Sequence, residues 1–137
     1  MKAVIRHSGN MSFIGKSESN HWVIIDTSKK FGGEEASVRP MELILIGLGG
    51  CTGMDVISIL NKMRVKLDKF YVNIEAEQAE DHPKVFKKVH IEYIFHGKDL
   101  KKENLERAIK LSQEKYCPVS AMLRNTAELT YSYKIIE

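Results

Sequence analysis

Two cysteines are the residues best suited to covalent chemistry in this chain. Cys51 and Cys117 stand 66 positions apart. A cytosolic chain of this size needs no structural disulfide, so each is either an inert core thiol or a chemically active one. Cys51 lies in the segment Leu48-Gly49-Gly50-Cys51-Thr52-Gly53-Met54. Each glycine in a helix costs about 1 kcal/mol relative to alanine. Small residues offset that cost by letting another backbone or a small ligand come close. Tight helix packing around a buried, inert thiol accounts for the same segment.

Cys117 carries more local information, because Pro118 follows it directly. Proline favours the first helical position, which makes Cys117 a helix N-cap. A sulfur there faces unpaired backbone N–H groups and the positive end of a helix dipole, and both favour the thiolate. The alternative is a loop cysteine that only fills space. Other chemical patterns fail. Gly47-x-Gly49-x-x-Thr52 lacks the third glycine of a dinucleotide loop and follows no suitable strand. No Lys-Ser or Lys-Thr follows a glycine-rich loop. His7, His21, His82, His90 and His96 show no metal-ligand spacing, so no metal is expected.

The elements that must position these thiols can be read from pattern. Lys2 to Arg6, Met11 to Lys16 and Trp22 to Ile25 read as three short strands, with a Ser8-Gly9-Asn10 turn between the first two. Thr27 to Val38 is polar and Gly-bearing, hence a loop. Pro40 to about Arg64 predicts one long helix carrying Cys51, apolar around its whole circumference, which is the mark of a buried helix. Lys69 to Ala76 and Val85 to Phe95 read as strands joined through Asp81-His82-Pro83, with Glu75, Glu77 and Glu92 marking a wet face. Leu100 to Lys115 predicts an amphipathic helix ending at Cys117-Pro118. Val119 to Arg124 reads as another helical turn or two. The alternation of Ala127, Leu129, Tyr131, Tyr133 and Ile135 predicts a closing strand. The order β-β-β-α-β-β-α-β is α+β, not a βαβ repeat. No linker or repeat divides residues 1–137, so a single domain is expected.

The bulk numbers narrow the function classes. A net charge of +3, with both signs mixed along the chain, argues against a nucleic-acid partner. Polar residues follow Met1 to Arg6 where a signal peptide would have an apolar run. The longest charge-free stretch, Leu43 to Met54, reads as too short to span a bilayer. The expected address is therefore cytoplasmic, with no membrane partner. The long helix would extend about 36 Å at about 1.5 Å per residue, roughly the width of a monomer of this size. Two small sheets can hardly cover a helix apolar on every side. Packing against a second copy would, so an obligate homodimer with a large apolar interface is expected.

Arg39-Pro40-Met41-Glu42-Leu43-Ile44-Leu45-Ile46-Gly47-Leu48-Gly49-Gly50-Cys51-Thr52, continued by Asp55-Val56-Ile57-Ser58-Ile59-Leu60, resembles the first cysteine motif of the OsmC/Ohr family. Lys115-Tyr116-Cys117-Pro118-Val119-Ser120 resembles the second. The order of elements agrees over essentially the whole chain, and the Pro-Met-Glu and Gly-Gly-Cys details most resemble the YhfA-like branch. The resemblance implies an intertwined homodimer with long central helices enclosed by antiparallel sheets, and active sites at the dimer interface. It also implies thiol-dependent reduction of organic hydroperoxides in oxidative or osmotic stress defence.

Carried over residue by residue, the resemblance makes Cys51 the peroxidatic thiol and Cys117 the resolving one. The N-cap reading favours Cys117 as the thiolate, so the two lines of reasoning differ. Family enzymes place a Glu directly after the motif proline and an Arg in the N-terminal region. Here Met41 takes the Glu position, and Glu42, about 100° further round a helix, is the candidate activating carboxylate. Arg6 and Arg39 are candidate arginines, with Arg39 the one assigned to orient thiolate and peroxide. The implied partners are a second copy and a small hydrophobic peroxide. No bound cofactor is implied, and the implied reductant is an external dithiol. A non-catalytic dimeric module that binds a small molecule, or a stress protein of the same fold, is the competing reading; the Met41 departure favours it.

Overall fold

The computed structural model describes residues 1–137. The chain divides into two compact units, Met1–Ile46 and Gly47–Glu137. In the first, β1 (Ala3–Gly9), β2 (Ser12–Ser17) and β3 (Val23–Ile25) form an antiparallel sheet in the order β1-β2-β3. The β1–β2 turn uses Gly9 and Asn10, both at positive φ, as the Ser8-Gly9-Asn10 cluster predicts. The loop that follows is ordered by one buried carboxylate. Asp26 accepts hydrogen bonds from the backbone N–H groups of Thr27 (2.8 Å), Ala36 (3.0 Å) and Glu34 (3.2 Å). Those N–H groups hold its pKa below the usual carboxylate value. A Cβ at Gly33 would run into the Thr27 carbonyl, so this tight loop requires glycine there.

The long helix α1 (Pro40–Lys62) begins in the first unit and continues into the second. Pro40 occupies its first turn. Glu42 reaches back to accept the Arg39 backbone N–H at 2.8 Å, half of a capping box. In the second unit, β4 (Lys69–Gln78), β5 (Phe86–His96) and β6 (Glu128–Ile136) form a sheet in the order β4-β5-β6. β4 and β5 pair antiparallel, β5 and β6 parallel. A parallel pair needs a long crossover. Here it consists of α2 (Lys102–Leu111), a five-residue π turn (Ser112–Tyr116) and α3 (Pro118–Arg124). Val89, Ile91, Tyr93, Ile94 and Phe95 make β5 the centre of the core, joined by Leu105, Ala108 and Ile109 of α2.

Several expectations change. The second sheet is not wholly antiparallel as expected, because the crossover returns β6 parallel to β5. The α-helix of the crossover ends at Leu111, and residues 112–116 widen into the π turn. And α1 is not buried all round. Leu48, Thr52, Val56 and Leu60, each four residues from the last, form one buried stripe, while Met54 remains 76% exposed. A single chain offers α1 one packing face, so its other apolar residues lie open. By length and composition α1 is long and apolar enough to cross a membrane, so the short charge-free run does not by itself exclude a span.

Candidate functional site

Cys51 precedes buried Thr52 by one residue, which places it at the edge of the α1 stripe, half-buried. Cys117 is 3% exposed. It is the N-cap of α3, as Pro118 predicts, and its Sγ accepts the Ser120 backbone N–H at 3.4 Å. The fold brings the two thiols together. Burial raises the Cys51 pKa first, followed by the contact with Cys117, repulsion from its charge, and the Asp55 carboxylate. The Val119 backbone N–H acts in the opposite direction on Cys51. The first turn of α3 therefore acts on both sulfurs: the Ser120 N–H bonds Cys117, and the Val119 backbone favours the Cys51 thiolate.

Beneath the thiols lies a buried polar network that sequence reasoning missed. Thr52 Oγ1 is 2.6 Å from Tyr93 OH and 2.7 Å from Ser112 Oγ. Ser112 donates to Asp55 Oδ2 at 2.9 Å. Gln113 Nε2 donates to Tyr93 OH at 2.8 Å and approaches Thr52 Oγ1 at 3.2 Å. Arg124 Nη2 donates to the Gln113 carbonyl at 3.0 Å and approaches its Oε1 at 3.4 Å. The π turn makes this arrangement available. Its extra residue per turn sends the Cys117 N–H to the Ser112 carbonyl, at 2.8 Å, and lets Ser112 and Gln113 both face inward. The next carbonyl, that of Gln113, would pair with residue 118, but proline has no N–H. Arg124 takes that place. Burial raises the Tyr93 pKa and keeps its hydroxyl protonated.

The other sequence candidates have contacts of their own. Arg39 pairs with Glu35 at 3.7 Å, and Glu42 caps α1; both belong to the first unit. The Arg-x-x-Glu spacing around Pro40 was the readable signal for that cap. Arg6 stacks over Trp22 at 5.9 Å. The histidines are dispersed, and no three His, Cys, Asp or Glu side chains cluster as a metal site. His90 has Thr130 and Ser132 hydroxyls on its two ring nitrogens.

An α+β chain with two facing thiols, one on a long helix and one capping a short one, is the architecture of a known family. The model described as OsmC-like protein matches residues 32–132, and the chain belongs to that family. It is 35% identical over 136 residues to Protein YhfA of Escherichia coli K12, an alignment covering 99% of this chain and 98% of YhfA. The crystal structure of a hypothetical protein from Aquifex aeolicus VF5 superposes with a TM-score of 0.82 at 30% identity, covering 99% of this chain and 97% of that one. An organic hydroperoxide resistance protein from Elizabethkingia anophelis shares the fold with a TM-score of 0.70 at 19% identity, covering 96% and 94% of the two chains.

Proposed function

We propose that the protein reduces organic hydroperoxides through Cys51 and Cys117. The observation that carries this reading is the convergence of two thiols from distant segments, one of them, Cys117, held by an N–H of the first turn of α3. Family membership, with relatives of this fold named for organic hydroperoxide resistance, supports it. The Cys51 thiolate attacks the peroxide, the O–O bond breaks, and the sulfur is oxidised to sulfenic acid. The alkoxide leaves and takes a proton to become the alcohol. The Cys117 thiol then attacks the sulfenic sulfur, releasing water and forming the Cys51–Cys117 disulfide. An external dithiol returns two electrons and two protons and is itself oxidised. A reducing cytoplasmic setting would suit that last step.

We assign a second copy of the chain to the open side of α1. Gly47 and Gly50 have free space where a Cβ would stand, and Met54 projects beside them. All seven residues of β1 are exposed as well. A Met54→Lys variant is expected to sediment as a monomer where the wild type is a dimer; equal self-association refutes the assignment. The raised Cys51 pKa favours a second reading, a dimeric binder of apolar small molecules without turnover. Intact mass and free-thiol count decide between the two, before and after one equivalent of cumene hydroperoxide. Peroxidase chemistry predicts loss of two thiols per chain, and a sulfenic acid trapped on Cys51 in Cys117→Ser. Thiols unchanged over minutes would leave the binding module.

A further inference from the structure

Ser112 stands at both links between the two halves of the thiol pair. Its hydroxyl contacts Thr52, the residue next to Cys51, at 2.7 Å. Its carbonyl accepts the Cys117 N–H at 2.8 Å. We propose that Ser112 is a positioning residue that sets the geometry of the Cys51–Cys117 pair, with its hydroxyl oriented by Asp55. The inference rests on the redox reading above and deepens it.

The network admits one arrangement of protons. A carboxylate only accepts, so Ser112 must donate to Asp55. The single Ser112 proton is then committed, and Thr52 must donate to Ser112. Tyr93 must in turn donate to Thr52, and its free lone pair accepts from Gln113 Nε2. The contact of Arg124 with Gln113 Oε1 fixes which end of that amide faces the hydroxyls. Every proton has one place, and Thr52, Ser112 and Tyr93 are fully buried. No member can turn away without stranding a buried donor. α1 and the π turn are thereby locked together one residue from Cys51.

This lock matters because a disulfide has narrow geometric requirements, with Cα atoms about 4.4–6.8 Å apart and a C–S–S–C dihedral near 90°. Closure between two held thiols is effectively unimolecular, and its advantage falls steeply when the groups are loosened. The carbonyl link survives Ser112→Ala but the hydroxyl link does not. Cys117 then stays on its turn, while α1 keeps only the longer Gln113–Thr52 contact, at 3.2 Å, to that turn.

The test is the equilibrium of the Cys51–Cys117 disulfide against reduced and oxidised glutathione, which yields the effective molarity of the pair without any peroxide. Ser112→Ala is expected to lower it at least tenfold, about 30 mV for a two-electron couple. Ser112→Thr, which keeps the hydroxyl, should stay within threefold of wild type. If Ser112→Ala does not fold, Thr52→Val against Thr52→Ser reads the same link from the other side. With cumene hydroperoxide, disulfide closure should slow more than the first oxidation of Cys51. Wild-type effective molarity in Ser112→Ala overturns the inference. So does an equal loss in Ser112→Ala and Ser112→Thr, or a wild-type protein that forms no disulfide with oxidised glutathione. If peroxide leaves the thiols intact while the glutathione equilibrium shifts as stated, the positioning inference stands and the peroxidase reading falls.

Discussion

Thr52→Val offers a test in which shape and hydrogen bonding predict opposite signs. Thr52 is fully buried between Tyr93 and Ser112, and valine matches its volume while replacing the hydroxyl with a methyl group. If packing alone mattered, valine would be neutral or stabilising. In the proton-ordered network, the Tyr93 hydroxyl loses its only acceptor, because its lone pair already serves Gln113. Ser112 still donates to Asp55, and Gln113 still donates to Tyr93. The Tyr93 O–H is left unpaired and Gln113 loses its longer bond to residue 52, a cost of at least about 1–3 kcal/mol. Thr52→Ser keeps the hydroxyl and loses one methyl group, about 1 kcal/mol. Equilibrium unfolding in urea, with all variants at one fixed protein concentration, should rank wild type above Thr52→Ser above Thr52→Val. With a slope of about 1–3 kcal/mol per molar urea, the Thr52→Val midpoint should fall by about 1 M at an unchanged slope. A Thr52→Val protein as stable as wild type, or more stable than Thr52→Ser, would refute the network as drawn.

Two further outcomes follow from the titrating groups. Three backbone N–H groups depress the Asp26 pKa, so its contribution to stability is complete above the unfolded carboxylate value of about 3.9 and is lost as pH falls toward the lower folded value. Asp26→Asn should flatten the acid limb of the urea midpoint in that window and leave its slope above pH 5 unchanged; an identical acid limb would remove Asp26 from the account. Burial and Cys117 together raise the Cys51 pKa. In Cys117→Ser, followed by thiolate absorbance, Cys51 should ionise at lower pH than the later of the two wild-type thiol steps, and an equal or higher value would contradict the pairing.

Parts of this structure are legible from residue type and spacing alone. Pro40 and Pro118 mark helix starts because a fixed φ and a missing N–H suit a first turn, and both helices begin there. Alternation finds β6, and the Ser8-Gly9-Asn10 cluster finds the first hairpin turn, because strand period and positive φ are local properties. The N-cap role of Cys117 is local for the same reason. What the tertiary structure decided lies between segments far apart in the chain. The all-round apolarity of α1 does not say which stripe the core will cover; the fold buries Leu48, Thr52, Val56 and Leu60, with Thr52 against Tyr93 of β5 and Ser112 of the π turn. Helical periodicity runs on through residue 115. The π turn appears only because Ser112 and Gln113 find Thr52, Asp55 and Tyr93 to bond within the core. Arg124 carries no motif, and its place follows from a carbonyl that Pro118 leaves without an N–H partner. Local sequence determines backbone preference residue by residue. Which buried polar groups meet depends on three-dimensional packing, because each must find its partner across the core before water is excluded.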